Sequence, residues 1–262
     1  MGHQRPNYVP PSTNWNGVVD AFLTGNGLAV SDLPNIAATT LGAAEKAIAD
    51  VNDDTGVCYA FYLLTQVAIA SRSDNWLGSL RQVGIHLRSD STLFDLTSEV
   101  QYAIDDHIAA KGRPTDISEM AQSAAGEALA SLAGDKSTTL FGSTGDELRY
   151  AVKSLSTTSG FSDLGQRFFG SFVSRFLNFY LARITARHVG SSRLPTIADT
   201  SAFSDALNEH CHQSARITRD FCGKWYSKTE YEGGINPLKT SQFMAIAVRK
   251  LSRELKKQSS EL

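Results

Sequence analysis

Cysteine is scarce in this chain: Cys58, Cys211 and Cys222 are the only three in 262 residues. Three scattered thiols make no disulfide framework, which sets the expectation of a reducing compartment and a cytoplasmic protein. Long hydrophobic runs are also missing. The most apolar stretch, Val57–Ala70, covers 14 residues and includes Gln66, too short to span a bilayer. The N-terminus has no apolar segment of signal-peptide type. Gly2 invites a myristoylation reading, but Pro6 stands where Ser or Thr is needed. No membrane association is expected.

The motifs of familiar chemistry are absent as well. There is no GxSxG elbow, no P-loop, no GxGxxG after a strand and no HExxH. No catalytic residue and no cofactor is therefore assigned from the sequence.

Net charge is small, -2, yet it is unevenly distributed. Residues 1–159 hold 10 Lys/Arg against 18 Asp/Glu, a balance of -8, while 160–262 hold 15 against 9, a balance of +6. The back half is thus suited to an acidic counterpart: nucleic acid, a partner protein, or the chain's own front half.

What remains is a helical pattern. Residues 1–14 carry three of the seven prolines and read as an extended arm. An acidic, alanine-rich helical lobe is expected over 15–133, a loop over 134–144, and a basic helical lobe over 145–262. The two lobes are equally compatible with one continuous domain. Helices are read at Trp15–Leu23, Ile36–Val51, Val57–Ser71, Asp74–Ile85, from Ser91 or Thr92 to Ala110, and from Thr115 or Asp116 to Leu132. Ser162–Val189 is the longest amphipathic run, with Phe168, Phe172, Phe176 and Phe179 on one side. A helix capped by Asp199, Thr200 or Ser201 is expected to reach Tyr226 or beyond. Asn236-Pro237 then opens the last helix, Leu238–Lys257, as an N-cap followed by proline at the first helical position. No run of period-two strands competes, so the fold is read as all-α, a bundle of roughly eight to ten helices with an extended N-terminal arm.

Three constellations attract attention and are set aside, the first on geometry. His210, Cys211 and His212 with Cys222 downstream resemble a metal set, but neighbours on a helix diverge by about 100°. On a continuous helix Cys211 and Cys222 lie roughly 16 Å apart, beyond the reach of bonds of about 2.0–2.3 Å to one zinc ion. No metal site is assigned. The acid pairs Asp53-Asp54 and Asp105-Asp106 read as helix surface. Gly165 and Gly170, inside an amphipathic run, read as sites of close helix packing rather than as a phosphate loop.

The segment left over is Arg216–Glu232. Ile217, Phe221 and Trp225 continue the apolar stripe of Leu207, Cys211 and Ser214, while Arg216, Arg219, Asp220, Lys224 and Lys228 lie off it. Part of this is ordinary i,i+4 pairing on a helix surface. The rest is a concentration of aromatic and basic residues of the kind that anchors interfaces. Arg216, Arg219, Lys224, Trp225, Tyr226, Lys228 and Tyr231 are the candidate binding residues. Arg175, Arg183, Arg187, His188 and Arg193 are candidates to extend that surface from one side, and the basic residues Arg249–Lys257 from the other. The expected function is a non-enzymatic interaction or scaffold subunit with a protein partner. Nucleic-acid binding by the basic–aromatic surface is the alternative, and an enzyme with a composite active site is the second.

Overall fold

The computed structural model describes residues 13–24, 27–51, 53–111, 114–132 and 145–259. Those residues form twelve α-helices and no strand; Val189 and Leu194 share a single isolated bridge. In chain order the helices are α1 (Thr13–Leu23), α2 (Leu33–Ala43), α3 (Glu45–Asp50), α4 (Thr55–Ala70), α5 (Trp76–Arg81) and α6 (Leu93–Lys111). There follow α7 (Asp116–Ala130), α8 (Gly145–Ser154), α9 (Thr158–His188), α10 (Ile197–Ser214), α11 (Arg216–Tyr231) and α12 (Pro237–Gln258). The count exceeds eight to ten because Ile36–Val51 divides at Ala44, the run to Tyr226 divides at Ala215, and α8 adds a helix that the sequence pattern does not signal. Helix begins at Thr13, two residues before the expected start at Trp15; the rest of the expected arm, residues 1–12, and the loop 134–144 lie outside the described residues.

Local chemistry explains most of the helix starts. Asp54 accepts the Val57 amide at 2.9 Å, Thr115 that of Ser118 at 2.9 Å, and Thr157 that of Gly160 at 3.0 Å. Asn236 accepts from Lys239 at 2.9 Å, with Pro237 in the first turn, as its sequence signature requires. At α10 the cap is Thr196 rather than Asp199, Thr200 or Ser201. Asp199 returns a bond to the Thr196 amide at 2.8 Å and so closes a capping box.

Helix α9 is the spine. Its 31 residues extend about 46 Å, and α10 and α11 run antiparallel along it in one continuous register. Ser204 bonds Asn178, His212 lies on Gly170, Arg219 pairs with Asp163, and Ser227 meets Thr158. Small residues set the spacing of this seam. A Cβ at Gly223 would stand 2.1 Å from the Thr158 carbonyl oxygen, and one at Gly165 would stand 2.8 Å from the Cys222 sulfur. The two glycines of the Gly165–Gly170 stretch are thus packing positions, as read from their placement in an amphipathic run.

Helix α7 packs along α9 on another side, and α4 lies against α6, α7 and α12. Phe61 of α4 joins the halves of the chain. Its ring stands 5.3 Å from both Phe168 and Phe169, 5.5 Å from Phe243, 5.8 Å from Phe161 and 6.1 Å from Trp225. Buried apolar side chains from Trp15 to Leu255 form one cluster that draws on both halves. None of the described helices is long and apolar enough to cross a membrane.

Candidate interaction surface

The candidate segment is α11, and its orientation differs from the sequence reading by one residue. The fully buried line is Thr218, Cys222, Tyr226 and Thr229, with Gly223 beside it, while Ile217, Phe221 and Trp225 are only partly buried. One residue on a helix is a turn of about 100°. Close approach to α9 selects the small residues for the contact line, and the larger rings move to the flank.

Tyr226 is therefore corrected from a binding residue to a core residue. It is wholly buried, stacked on Phe161 at 4.2 Å, with the Arg72 guanidinium 5.5 Å from its ring centre. Burial pushes its hydroxyl up to about 12. Trp225 stacks on Phe243 of α12 at 4.1 Å with the rings 20° apart, so one face of the indole is already covered. Of the three aromatic candidates, Tyr231 alone projects freely, 92% exposed at the end of the helix.

Among the cations, Arg219 pairs with Asp163 at 2.8 Å and Lys228 faces Glu232 at 3.8 Å. Arg216 and Lys224 are exposed and make no ion pair among the described residues. The proposed extension along α9 does not form. Arg193 is a structural residue, 3% exposed, which donates from Nε to the Phe22 carbonyl at 2.8 Å, from Nη1 to the Gly27 carbonyl, and from Nη2 to Asp32 at 2.9 Å. Arg175 pairs with Glu127 of α7 at 3.1 Å. Arg183, Arg187 and His188 sit about 27 Å or more along α9 from Gly165, where α11 packs.

The extension through the last helix does form. Helix α12 lies beside α11, with Lys250 Nζ 4.7 Å above the Phe221 ring and Gln258 accepting from the Ser214 hydroxyl at 2.8 Å. The result is a two-helix face. Arg216 and Lys224 stand on α11, and Arg249, Lys250 and Arg253 stand on α12 with the exposed Ile246. The reversal between the helices carries positive φ at Gly233 and Gly234, which only glycine adopts without strain. Tyr231 and Leu238, 67% exposed, flank it.

Part of the charge asymmetry is satisfied internally. Arg193, Arg175 and Lys256 of the basic half pair with Asp32, Glu127 and Glu45 of the acidic half. Arg249 and Arg253 are exposed and make no ion pair among the described residues.

The remaining chemical candidates have structural roles. Cys211 and Cys222 are buried, which raises both thiols, and Cys58 is pushed up to about 11 by burial and by Asp54 and Asp53. Such thiols are protonated at neutral pH and weak as nucleophiles. The bend at Ala215 removes the continuous helix on which the Cys211–Cys222 spacing was worked. Even so, Cys222 lies on Gly165 and His212 on Gly170, about 7.5 Å apart along α9. No three His, Cys, Asp or Glu side chains among the described residues gather as a metal site. Asp54 caps α4 and accepts from the Thr115 hydroxyl at 2.6 Å, and His107 stacks on Tyr59 at 3.7 Å. Comparison of the chain with known protein families, with curated proteins and with solved structures finds no match in any of the three.

Proposed function

We propose that the protein is a non-enzymatic helical subunit of a cytoplasmic multi-protein assembly and docks a protein partner through the α11–α12 face. One observation carries the reading. Arg216 and Lys224 on α11 and Arg249 and Arg253 on α12 stay exposed without ion pairs among the described residues, and the exposed apolar Ile246 lies one turn from Arg249. Elsewhere in the basic half, Arg175, Arg193 and Lys256 meet acids of the front half. Charged rims beside apolar surface steer and orient protein partners.

The nucleic-acid alternative is the weaker reading, because Tyr226 is buried and Trp225 already stacks on Phe243, which leaves Tyr231 as the one freely exposed ring of the three. The test is a pull-down of the full chain from its native cell, with and without nuclease. A partner protein retained in both halves supports the reading. Recovery that collapses with nuclease, together with a steep loss of affinity as salt rises, replaces it with nucleic-acid binding.

A further inference from the structure

On its other flank α12 packs against α2, and a groove of about 380 Å³ runs there with α3 as its far wall. Its floor is apolar: Leu41 is fully buried, Val248 nearly so, and Ile48 partly. Arg249, Arg253 and Lys256 line one side at i, i+4 and i+7, a spacing that sets all three along one edge of the helix. The opposite wall offers a single acid, Glu45, which stands 4.0 Å from Lys256. Arg249 and Arg253 have no such counterpart among the described residues. An apolar floor under a one-sided cationic rim is a complementary surface missing its other half.

We propose that this groove binds an acidic amphipathic helical segment of a protein partner. Its bulky apolar side chain rests on Ile48 and Ala49, the accessible apolar lining above buried Leu41 and Val248, and two carboxylates one turn apart meet Arg249 and Arg253. The proposal rests on the interaction-subunit reading and names the partner's chemistry. Four residues of helix rise about 6 Å, so carboxylates at i and i+4 on a segment laid along α12 match the two arginines. The guanidinium fork suits carboxylates bidentately. Phosphate-rich polymers fit less well: Glu45 faces the groove, and none of the described residues lining it is aromatic.

The test is selection of short random displayed peptides on the full-length protein at physiological salt, followed by anisotropy with the enriched peptides. They are expected to carry at least two Asp or Glu at helical spacing around Leu, Met or Phe. Arg249→Ala with Arg253→Ala should weaken them by about tenfold or more, whereas Arg88→Ala, at an exposed ion pair on the loop before α6, should leave them unchanged; Arg216→Ala with Lys224→Ala reads out the α11 side of the docking face. Arg249→Glu with Arg253→Glu should instead bind the same peptide with lysines in place of its acids. These are exposed positions, and an unchanged melting curve verifies that each variant folds. No enrichment, enrichment without acids, or indifference to the arginine pair overturns the groove. So does displacement of the peptide by a single-stranded oligonucleotide of equal affinity. Peptides lost with Arg216 and Lys224 instead move the site to the α11 side, leaving the subunit reading intact. A full-chain pull-down without a nuclease-resistant partner removes that reading itself.

Discussion

Replacing Arg193 with alanine should be among the costliest single changes in this protein, although the residue sits in a loop. Its guanidinium is 3% exposed and donates to Phe22, Gly27 and Asp32, tying the loop after α9 to the end of α1 and to the segment between α1 and α2. Truncation leaves two carbonyls and one carboxylate without their donor. Breaking a buried pair from one side costs about 3–5 kcal/mol. Asp32 is 30% exposed and regains part of its hydration, which places the expected loss near the lower end, about 3 kcal/mol. At roughly 2–4 °C per kcal/mol for a chain of this size, melting should fall by about 6–12 °C. Urea unfolding followed by circular dichroism measures the loss directly. Arg193→Lys keeps the charge without the fork and should recover only part of it. Arg193→Met with Asp32→Leu removes both charges and should return most of it. An Arg193→Ala protein within about 0.5 kcal/mol of the parent would refute the reasoning, because an unpaired buried acceptor alone costs more.

Three further outcomes are expected. Gly223→Ala should destabilise by about 2 kcal/mol or more, because its Cβ meets the Thr158 carbonyl oxygen at 2.1 Å; Gly42→Ala, with nothing within 4 Å, should stabilise by about 0.5–1 kcal/mol. Unfolding midpoints in urea test both signs. Burial holds His210 and His212 below their ordinary value of 6.5, so between those lowered values and 6.5 the unfolded chain binds protons that the folded chain does not. Stability therefore rises with pH through that window and should fall on acidification below about 6.5. Urea midpoints at pH 7.5 and 5.5 should differ in that direction, and His212→Gln should reduce the difference. Cys58, pushed up to about 11, should react with iodoacetamide at pH 8 about a hundredfold more slowly than a free thiol. A rate equal to that of the urea-unfolded chain would contradict the raised thiol.

Helix class and many helix starts were legible because they depend on short-range chemistry. Asn236-Pro237 and Thr115 announce their helices whatever packs against them. The break at Ala215 has no glycine or proline to mark it. It lies at a buried residue whose carbonyl accepts from the Thr218 amide at 2.9 Å, a tighter turn within an otherwise helical run. The rotation of α11 was hidden for a related reason. Apolar periodicity assigns the largest side chains to the interior and so points to Ile217, Phe221 and Trp225 as the buried stripe. Where helices approach closely, the contact line instead belongs to Thr218, Cys222 and Gly223. That rotation moved Tyr226 out of the candidate surface. The α12 contribution was visible as a basic run, but its juxtaposition with Phe221 and with Leu41 depends on tertiary packing alone.

The ring cluster around Phe61 also has a consequence for synthesis. A chain grows at roughly 5–20 residues per second and tends to fold from its N-terminal side. Phe61 is made before every ring it packs against in α9, α11 and α12, which follow it by about 100 to 180 residues. At those rates α4 waits roughly ten to forty seconds for Phe243 to exist. The most apolar helix of the protein thus spends its first moments without the surface that covers it. The front half is a nascent chain in need of shelter, and its cover is complete only once α12 has been made.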